Sequence, residues 1–172
     1  LSVNGEKVPE LFIVDLPLDE NGWKQPGDAP LEGTDMTMPA PPSGIRQRRL
    51  TFTHERAFPG LVNQPRHWVR SNPKASEIAF LMRDDNGIVQ LWLISPQGGS
   101  LRQLTQCATN IQSAFNWHPS GKWLGFVLEN RIACCDVQTG EIDFLTERHD
   151  NPPSADAIVF SPDGRQVAWM ED

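Results

Sequence analysis

Three stretches of the chain pass from a polar turn into an apolar strand in the same order. They are Asn72-Pro73-Lys74-Ala75-Ser76-Glu77-Ile78-Ala79-Phe80, His118-Pro119-Ser120-Gly121-Lys122-Trp123-Leu124-Gly125-Phe126 and Ser161-Pro162-Asp163-Gly164-Arg165-Gln166-Val167-Ala168-Trp169. They align without gaps, at spacings of 46 and 43 residues. In each, Pro presets φ at the first central position of a turn, and a Gly supplies the left-handed conformation that closes it. A large apolar residue, a small one and an aromatic follow. This order predicts a strand packed on both faces, with the small residue where a neighbouring sheet comes close. The first stretch departs at one place. Ala75 stands where the turn wants Gly, so either that turn differs or Ala carries positive φ at a cost of about 1 kcal/mol.

A second repeat follows each turn. Leu91-Trp92-Leu93-Ile94-Ser95 matches Ile132-Ala133-Cys134-Cys135-Asp136, and Leu104-Thr105 matches Leu145-Thr146, both 41 residues apart. Pro96-Gln97-Gly98-Gly99 and Gln138-Thr139-Gly140 are good hairpin closers between them. The predicted strands of a first full unit lie near residues 66–70, 77–82, 88–94 and 101–105. Those of a second lie near 113–117, 122–128, 131–137 and 141–146. Leu11-Phe12-Ile13-Val14-Asp15 reads as a third strand and Arg48-Arg49-Leu50-Thr51 as a fourth. Between them, residues 17–45 are rich in Pro, Gly, Asp and Thr without a period, and read as an exposed, partly disordered loop insertion. No helix-period pattern competes.

A period near 40–45 residues is that of one four-stranded propeller blade. The fold class is therefore all-β: a β-propeller fragment of four-stranded antiparallel blades, counted as half a blade, two full blades and half a blade. Residues 1–172 belong to one propeller domain in this reading. Half-blades leave strand edges unpaired. The chain on its own is expected to self-associate through residues 165–170 or 11–15.

Ser161-Pro162-Asp163-Gly164-Arg165-Gln166-Val167-Ala168-Trp169 resembles the repeat signature of the TolB-like, WD40-related (PD40-repeat) propellers, and Trp117-His118-Pro119-Ser120-Gly121-Lys122-Trp123-Leu124 is a variant of it. Gln47-Arg48-Arg49-Leu50-Thr51-Phe52-Thr53-His54, Pro65-Arg66-His67-Trp68-Val69-Arg70 and Phe80-Leu81-Met82-Arg83-Asp84-Asp85-Asn86-Gly87 resemble the C-terminal part of the enterobacterial YidR-like family. The resemblance implies further blades upstream in a longer parent chain. It implies no activity, because the propeller fold hosts many functions.

Composition narrows the partner class. The chain has 172 residues and a net charge of −7. That balance disfavours nucleic acid, which demands basic surface, and docking on an anionic membrane. No apolar run approaches the roughly 20 residues that span a bilayer. The three cysteines, Cys107, Cys134 and Cys135, lack disulfide-framework spacing. Cys134 and Cys135 are neighbours on one strand and point to opposite faces, as small core residues. The count favours a reducing, cytoplasmic compartment; a periplasmic one would follow if an upstream signal had been removed.

Propeller ligands meet the mouth of the central channel. Here that mouth would be built by residues 52–64, 83–87, 106–112 and 147–155. The channel-face candidates are Gln64, Arg66, His67, Arg83 and Asp84. Gln64 and His67 resemble two ligands of the manganese-type site of propeller lyases. Two ligands are inadequate alone, so no metal or other cofactor is expected. Asp84-Asp85-Asn86-Gly87 lacks the alternating ligands of a calcium loop and reads as a hairpin turn. His118 reads as a turn residue with a local hydrogen bond. His54 and His149 stand in loops without a partner motif. Trp68, Trp92, Trp117, Trp123 and Trp169 are expected to pack between strands, and Trp23 to be exposed. No nucleophile elbow or phosphate-cradling glycine loop is present. The functional reading is a non-enzymatic scaffold that binds a protein or peptide partner at the channel face. The alternatives are a metal-dependent oligogalacturonate-lyase-like enzyme or its inactive relative, and the substrate-gating propeller of a peptidase.

Overall fold

The three repeated turns close with the same hydrogen bonds. The amide of Asn72 donates to the carbonyl of Glu77 and that of Ala75 to Asn72, at 2.9 and 2.9 Å; His118 to Trp123 and Gly121 to His118 repeat the pair at 2.9 and 2.8 Å; Ser161 to Gln166 and Gly164 to Ser161 repeat it again at 2.9 and 2.8 Å. The closing residue is left-handed each time, with φ of 53° at Ala75, 71° at Gly121 and 72° at Gly164. Ala75 thus takes the backbone conformation of glycine rather than changing the turn.

These turns belong to a computed structural model that describes residues 2–3, 5–29, 31–62, 68–156 and 158–171. Its strands are β1 (Ser2–Val3), β2 (Glu6–Lys7), β3 (Phe12–Val14), β4 (Gln47–Arg49), β5 (Arg70–Ser71), β6 (Ile78–Arg83), β7 (Val89–Ile94), β8 (Arg102–Gln103), β9 (Asn116–Trp117), β10 (Trp123–Leu128), β11 (Arg131–Asp136), β12 (Ile142–Phe144), β13 (Val159–Phe160) and β14 (Val167–Ala168), with one helical turn, α1 (Glu20–Trp23). Among the described residues no helix is long and apolar enough to cross a membrane. The chain forms two compact units, Leu1–Glu10 with Leu50–Asp172, and Leu11–Arg49.

In the larger unit two antiparallel four-stranded sheets run β5-β6-β7-β8 and β9-β10-β11-β12. Their registers are equivalent: Phe80 faces Trp92 in one, and Phe126 faces Ala133 in the other. The 46- and 41-residue spacings differ because the hairpins differ. Arg83 pairs with Val89 across a longer connection, whereas Leu128 pairs with Arg131 across Glu129-Asn130 alone. Glu129 and Asn130 both have positive φ, 51° and 60°, as a type I′ turn requires.

The Leu-Thr repeat has a structural cause. The amides of Leu104 and Leu145 donate to the carbonyls of Leu91 and Ile132. The following threonine turns its hydroxyl back, so Thr105 Oγ1 accepts from Leu91 N–H at 3.0 Å and Thr146 Oγ1 from Ile132 N–H at 3.1 Å. A side chain completes the ladder where the backbone leaves it.

Alternation along β10 sends its two faces to different sheets. Leu124, Phe126 and Leu128 pack with Phe115, Trp117, Ala79, Leu81, Leu91 and Leu93. Val127 packs with Ile132 and Ile158, against Phe160, Val167 and Trp169. Gly125 stands where the β13–β14 pair comes closest. A Cβ there would lie 2.3 Å from Ile158 Cδ1 and 2.7 Å from Phe160 Cζ. Ala79 is also buried, but Ala168 is exposed, so the third small residue has no sheet over it. The short strands β5, β9 and β13 adjoin in succession. The Trp117 indole donates to the Arg70 carbonyl at 2.9 Å and the Asn116 amide to the Ile158 carbonyl at 3.3 Å.

Some expectations change. Trp92 and Trp117 are buried, but Trp68 and Trp123 are exposed, and so is Trp23. Cys135 is buried and Cys134 half-buried; all three thiols are free. The sequence reading missed the β1–β2 hairpin, although Asn4-Gly5 between the two strands is a strong hairpin signal. In the smaller unit, β3 and β4 pair antiparallel. The 17–45 segment carries more order than its composition suggests. Asp19 Oδ1 caps α1 by accepting from Gly22 N–H at 2.8 Å, and Pro26 bridges Pro42.

Candidate functional site

The two ends of the sheets differ. One end carries the tight turns at residues 72–77, 118–123, 136–140 and 161–166. The other carries the β6–β7 hairpin, the two-residue β10–β11 turn and the crossings from β8 to β9 and from β12 to β13. Long connections free to vary are where binding residues concentrate.

Asp84 organises that second end. Its Oδ1 accepts from the amides of Asn86 and Ile88 at 2.9 and 3.0 Å, and its Oδ2 from Gln90 Nε2 at 3.2 Å. Burial raises the pKa of this carboxyl. The bonds from Ile88, Gln90 and Asn86, with the Arg56 charge, outweigh that and hold it below the ordinary aspartate value. Gln90 is fully buried and links the hairpin to the next crossing. Its Nε2 donates to the Cys107 carbonyl at 2.9 Å, and its Oε1 accepts from Thr105 Oγ1 at 2.8 Å and Cys107 N–H at 3.0 Å. Every polar atom of this buried amide is used, as a dry site demands.

Glu10 repeats the role of Gln90 one unit earlier in the sequence. It precedes Leu11-Phe12-Ile13 as Gln90 precedes Leu91-Trp92-Leu93. Its Oε2 accepts from Thr51 Oγ1, and its Oε1 from Thr53 N–H at 2.9 Å and Thr53 Oγ1 at 2.8 Å. This hub escaped the sequence reading, although a Glu or Gln immediately before each of these two apolar runs was a visible signal.

The segment ending at Val62 joins the same face. Arg56 donates to Asp85 Oδ1 at 3.1 Å and to the Arg83 carbonyl at 3.5 Å, and lies 4.7 Å from the Trp92 ring centroid. A Cβ on Gly87 would be 3.0 Å from the Phe58 ring. Between the hairpin and residues 106–108 opens a cleft of about 410 Å³, lined by Asp84, Asp85, Asn86, Gln90, Gln103 and Gln106 among others. A second cleft of about 240 Å³ lies between the next two crossings, near Gln112, Asn130 and Pro153.

Of the sequence-derived candidates, Arg83 is exposed beside the larger cleft and Asp84 is buried in its wall. Gln64, Arg66 and His67 lie outside the described residues. No group of three His, Cys, Asp or Glu that could hold a metal occurs among the described residues. The 84–87 segment is a hairpin turn, with Asp84 N–H donating to Ile88 O at 2.9 Å.

Two histidines do more than the sequence suggested. His118 Nδ1 accepts from Ser120 N–H at 3.1 Å, the expected local bond. Its Nε2 also meets the Gly164 carbonyl at 3.0 Å, in the sister turn. With Nδ1 accepting, Nε2 carries the proton and donates. His149 has partners in three directions: Thr146 Oγ1 at 3.0 Å, Glu171 Oε1 at 2.7 Å and the Trp169 ring edge-on at 5.8 Å. The loop histidine without a partner motif therefore ties the β12–β13 crossing to the end of the described chain.

No family model matches this chain. It is 74% identical over 171 residues to the Escherichia coli (strain K12) protein called uncharacterized protein YidR; the match takes in 99% of this chain and 41% of that one. The chain thus spans about two fifths of the length of the curated relative it matches. Among solved structures it is similar to the tricorn protease, with a TM-score of 0.53 and 14% identity over 72% of this chain and 11% of that one. It is also similar to TolB from Acinetobacter baumannii, with a TM-score of 0.48 and 24% identity over 71% of this chain and 28% of that one. The chain is all-β, with four-stranded antiparallel sheets in a β-propeller-like fold, and resembles YidR over nearly its whole length.

Proposed function

We propose that the chain is part of a β-propeller scaffold without catalytic activity, and that it binds a protein or peptide partner at the face around Arg83, Asp85 and Gln106. In this reading β5–β8 and β9–β12 are two full blades, and β3–β4 and β13–β14 are each half of another. The observation that carries it is the polar cleft that the β6–β7 hairpin forms with the β8–β9 crossing, walled by Asp84, Asp85, Gln90 and Gln106. The cleft offers carboxylate and amide groups in place of a nucleophile and its base. That chemistry suits the backbone and basic side chains of an extended peptide. Gln64, Arg66 and His67 join the face on sequence grounds.

The test is affinity capture with this chain, comparing the natural sequence, a face variant (Asp85→Arg with Gln106→Arg) and a control at the tight-turn end (Gln138→Lys). Partners should be retained by the control and weakened at least tenfold by the face variant. Partners retained equally by all three would refute the proposal.

A further inference from the structure

We propose that an open groove beside β5 is the seat of the inner strands of a further four-stranded sheet, supplied by the part of the longer protein that this chain does not span. The inference rests on the propeller reading and extends it to a particular surface.

The repeat itself provides the comparison. At the 46-residue spacing, Trp68 and Val69 correspond to Ala114 and Phe115. Ala114 and Phe115 are each 1% exposed, because β9 is flanked by β5 on one side and β13 on the other. Trp68 is 68% exposed and Val69 44%. Phe115 packs with Ala79, Leu81, Leu91 and Leu93 of the preceding sheet, so its match Val69, one residue ahead of β5, faces the place where a sheet before it would lie, and Trp68 beside it lines the same opening. That place is a groove of about 380 Å³, lined by Leu61, Val62, Trp68, Val69, Phe80 and Leu81 with little polar surface.

A strand of the same kind fits this groove best. The contact it would make continues one already present, in which β5, β9 and β13 succeed one another with side-chain to carbonyl hydrogen bonds between neighbours. The E. coli relative has chain to spare, since the match takes in 41% of it. Placing an apolar strand over Trp68 and Val69 removes their exposed area from water, the main driving force for such docking.

The test compares this chain alone with a chimera in which it replaces the matching segment of the E. coli relative. Both are probed by hydroxyl-radical oxidation read residue by residue. Trp68 should oxidise at least tenfold more slowly in the chimera, while Met36 stays reactive and Trp117 protected in both. The intact E. coli relative gives a second reading, in which the positions matching Trp68 and Phe115 should be equally protected. Trp68 equally reactive in both proteins, with Trp117 protected, would overturn this inference and leave the propeller reading standing. Trp117 as reactive as Trp68 in the chain alone would overturn the propeller reading. Protection of Trp68 that grows with concentration of the chain alone would make a second copy the occupant, and would overturn the proposal too.

Discussion

Replacing Gly125 by alanine puts a methyl group where β10 meets the β13–β14 pair. The new Cβ would lie 2.3 Å from Ile158 Cδ1 and 2.7 and 2.9 Å from two ring carbons of Phe160. Carbon atoms settle about 3.5–4.0 Å apart, so one side must retreat by more than an ångström. Ile158 has little room to do so, being fully buried against Val127 and Ile132. Overpacking of this kind costs about 1–3 kcal/mol. Alanine restricts the unfolded chain and returns about 0.5–1 kcal/mol. Gly125 is absent from the positive-φ positions, so backbone strain does not enter. Contacts this short place the cost in the upper half of that range, so the net expectation is a loss of about 1–2.5 kcal/mol, or about 2–10 °C in Tm for a domain of this size. Thermal unfolding followed by circular dichroism measures it. Ile158→Val removes the clashing Cδ1. The double variant should therefore be more stable than the sum of the single changes allows, by a coupling of about 0.5–3 kcal/mol. Gly125→Ala as stable as the natural chain, with additive effects from Ile158→Val, would show that the two sheets do not meet.

Four further outcomes follow from the same geometry. Ala75→Gly should leave stability unchanged or raise it by up to about 0.5 kcal/mol in urea titration, the left-handed penalty less the entropy glycine costs; a loss would mean that the turn differs in solution. Thr105→Val should cost about 1–3 kcal/mol in the same assay, because the Leu91 amide loses its hydroxyl acceptor inside the sheet; a neutral result would discount the capping role. Burial pushes the Cys134 thiol up to about 11 and, with the nearby Cys107, Asp136 and Cys134, that of Cys135 up to about 12. Their folded-state values lie above the unfolded ones. Stability should thus be flat between about pH 6 and 8 and fall as pH rises past about 9, by up to about 1.4 kcal/mol per pH unit for each thiol, and Cys135→Ala should shallow the slope. Finally, light scattering should show self-association of this chain through residues 165–170, where Met170, just past β14, is 58% exposed, and Met170→Lys should weaken it; a monomer at high concentration would count against an open edge.

The repeated turns and their strands were legible because local chemistry dictates them. Pro, a polar cap and Gly set each turn, and alternation sets the faces that follow. The close approach at Gly125 came from the same reasoning, which left positive φ at Ala75 as one of two alternatives. What escaped was set by contacts across the repeat period. The bond of His118 to Gly164 joins residues 46 apart, so the histidine looked like a turn residue only. The exposure of Trp68 and Trp123 was invisible for a related reason: an aromatic beside a strand packs only if a neighbouring sheet is there to receive it. The Gln90 and Glu10 hubs were hidden because a polar residue ahead of an apolar run reads as solvated until the fold buries it. Of the candidate site, residues 84–86 and 106–108, taken from two of the loops named on sequence grounds, line one cleft. The burial of Asp84 depends on three donors arriving together, which spacing alone does not reveal.

The account depends on successive turn-strand units occupying equivalent places in neighbouring sheets. Nuclear Overhauser contacts of the Trp117 indole and the His118 ring test this most directly. The indole N–H should show cross-peaks to Arg70 and Ser71, and the His118 ring to the α-protons of Gly164. Cross-peaks confined to residues within each unit, with none between units in a folded chain, would contradict it.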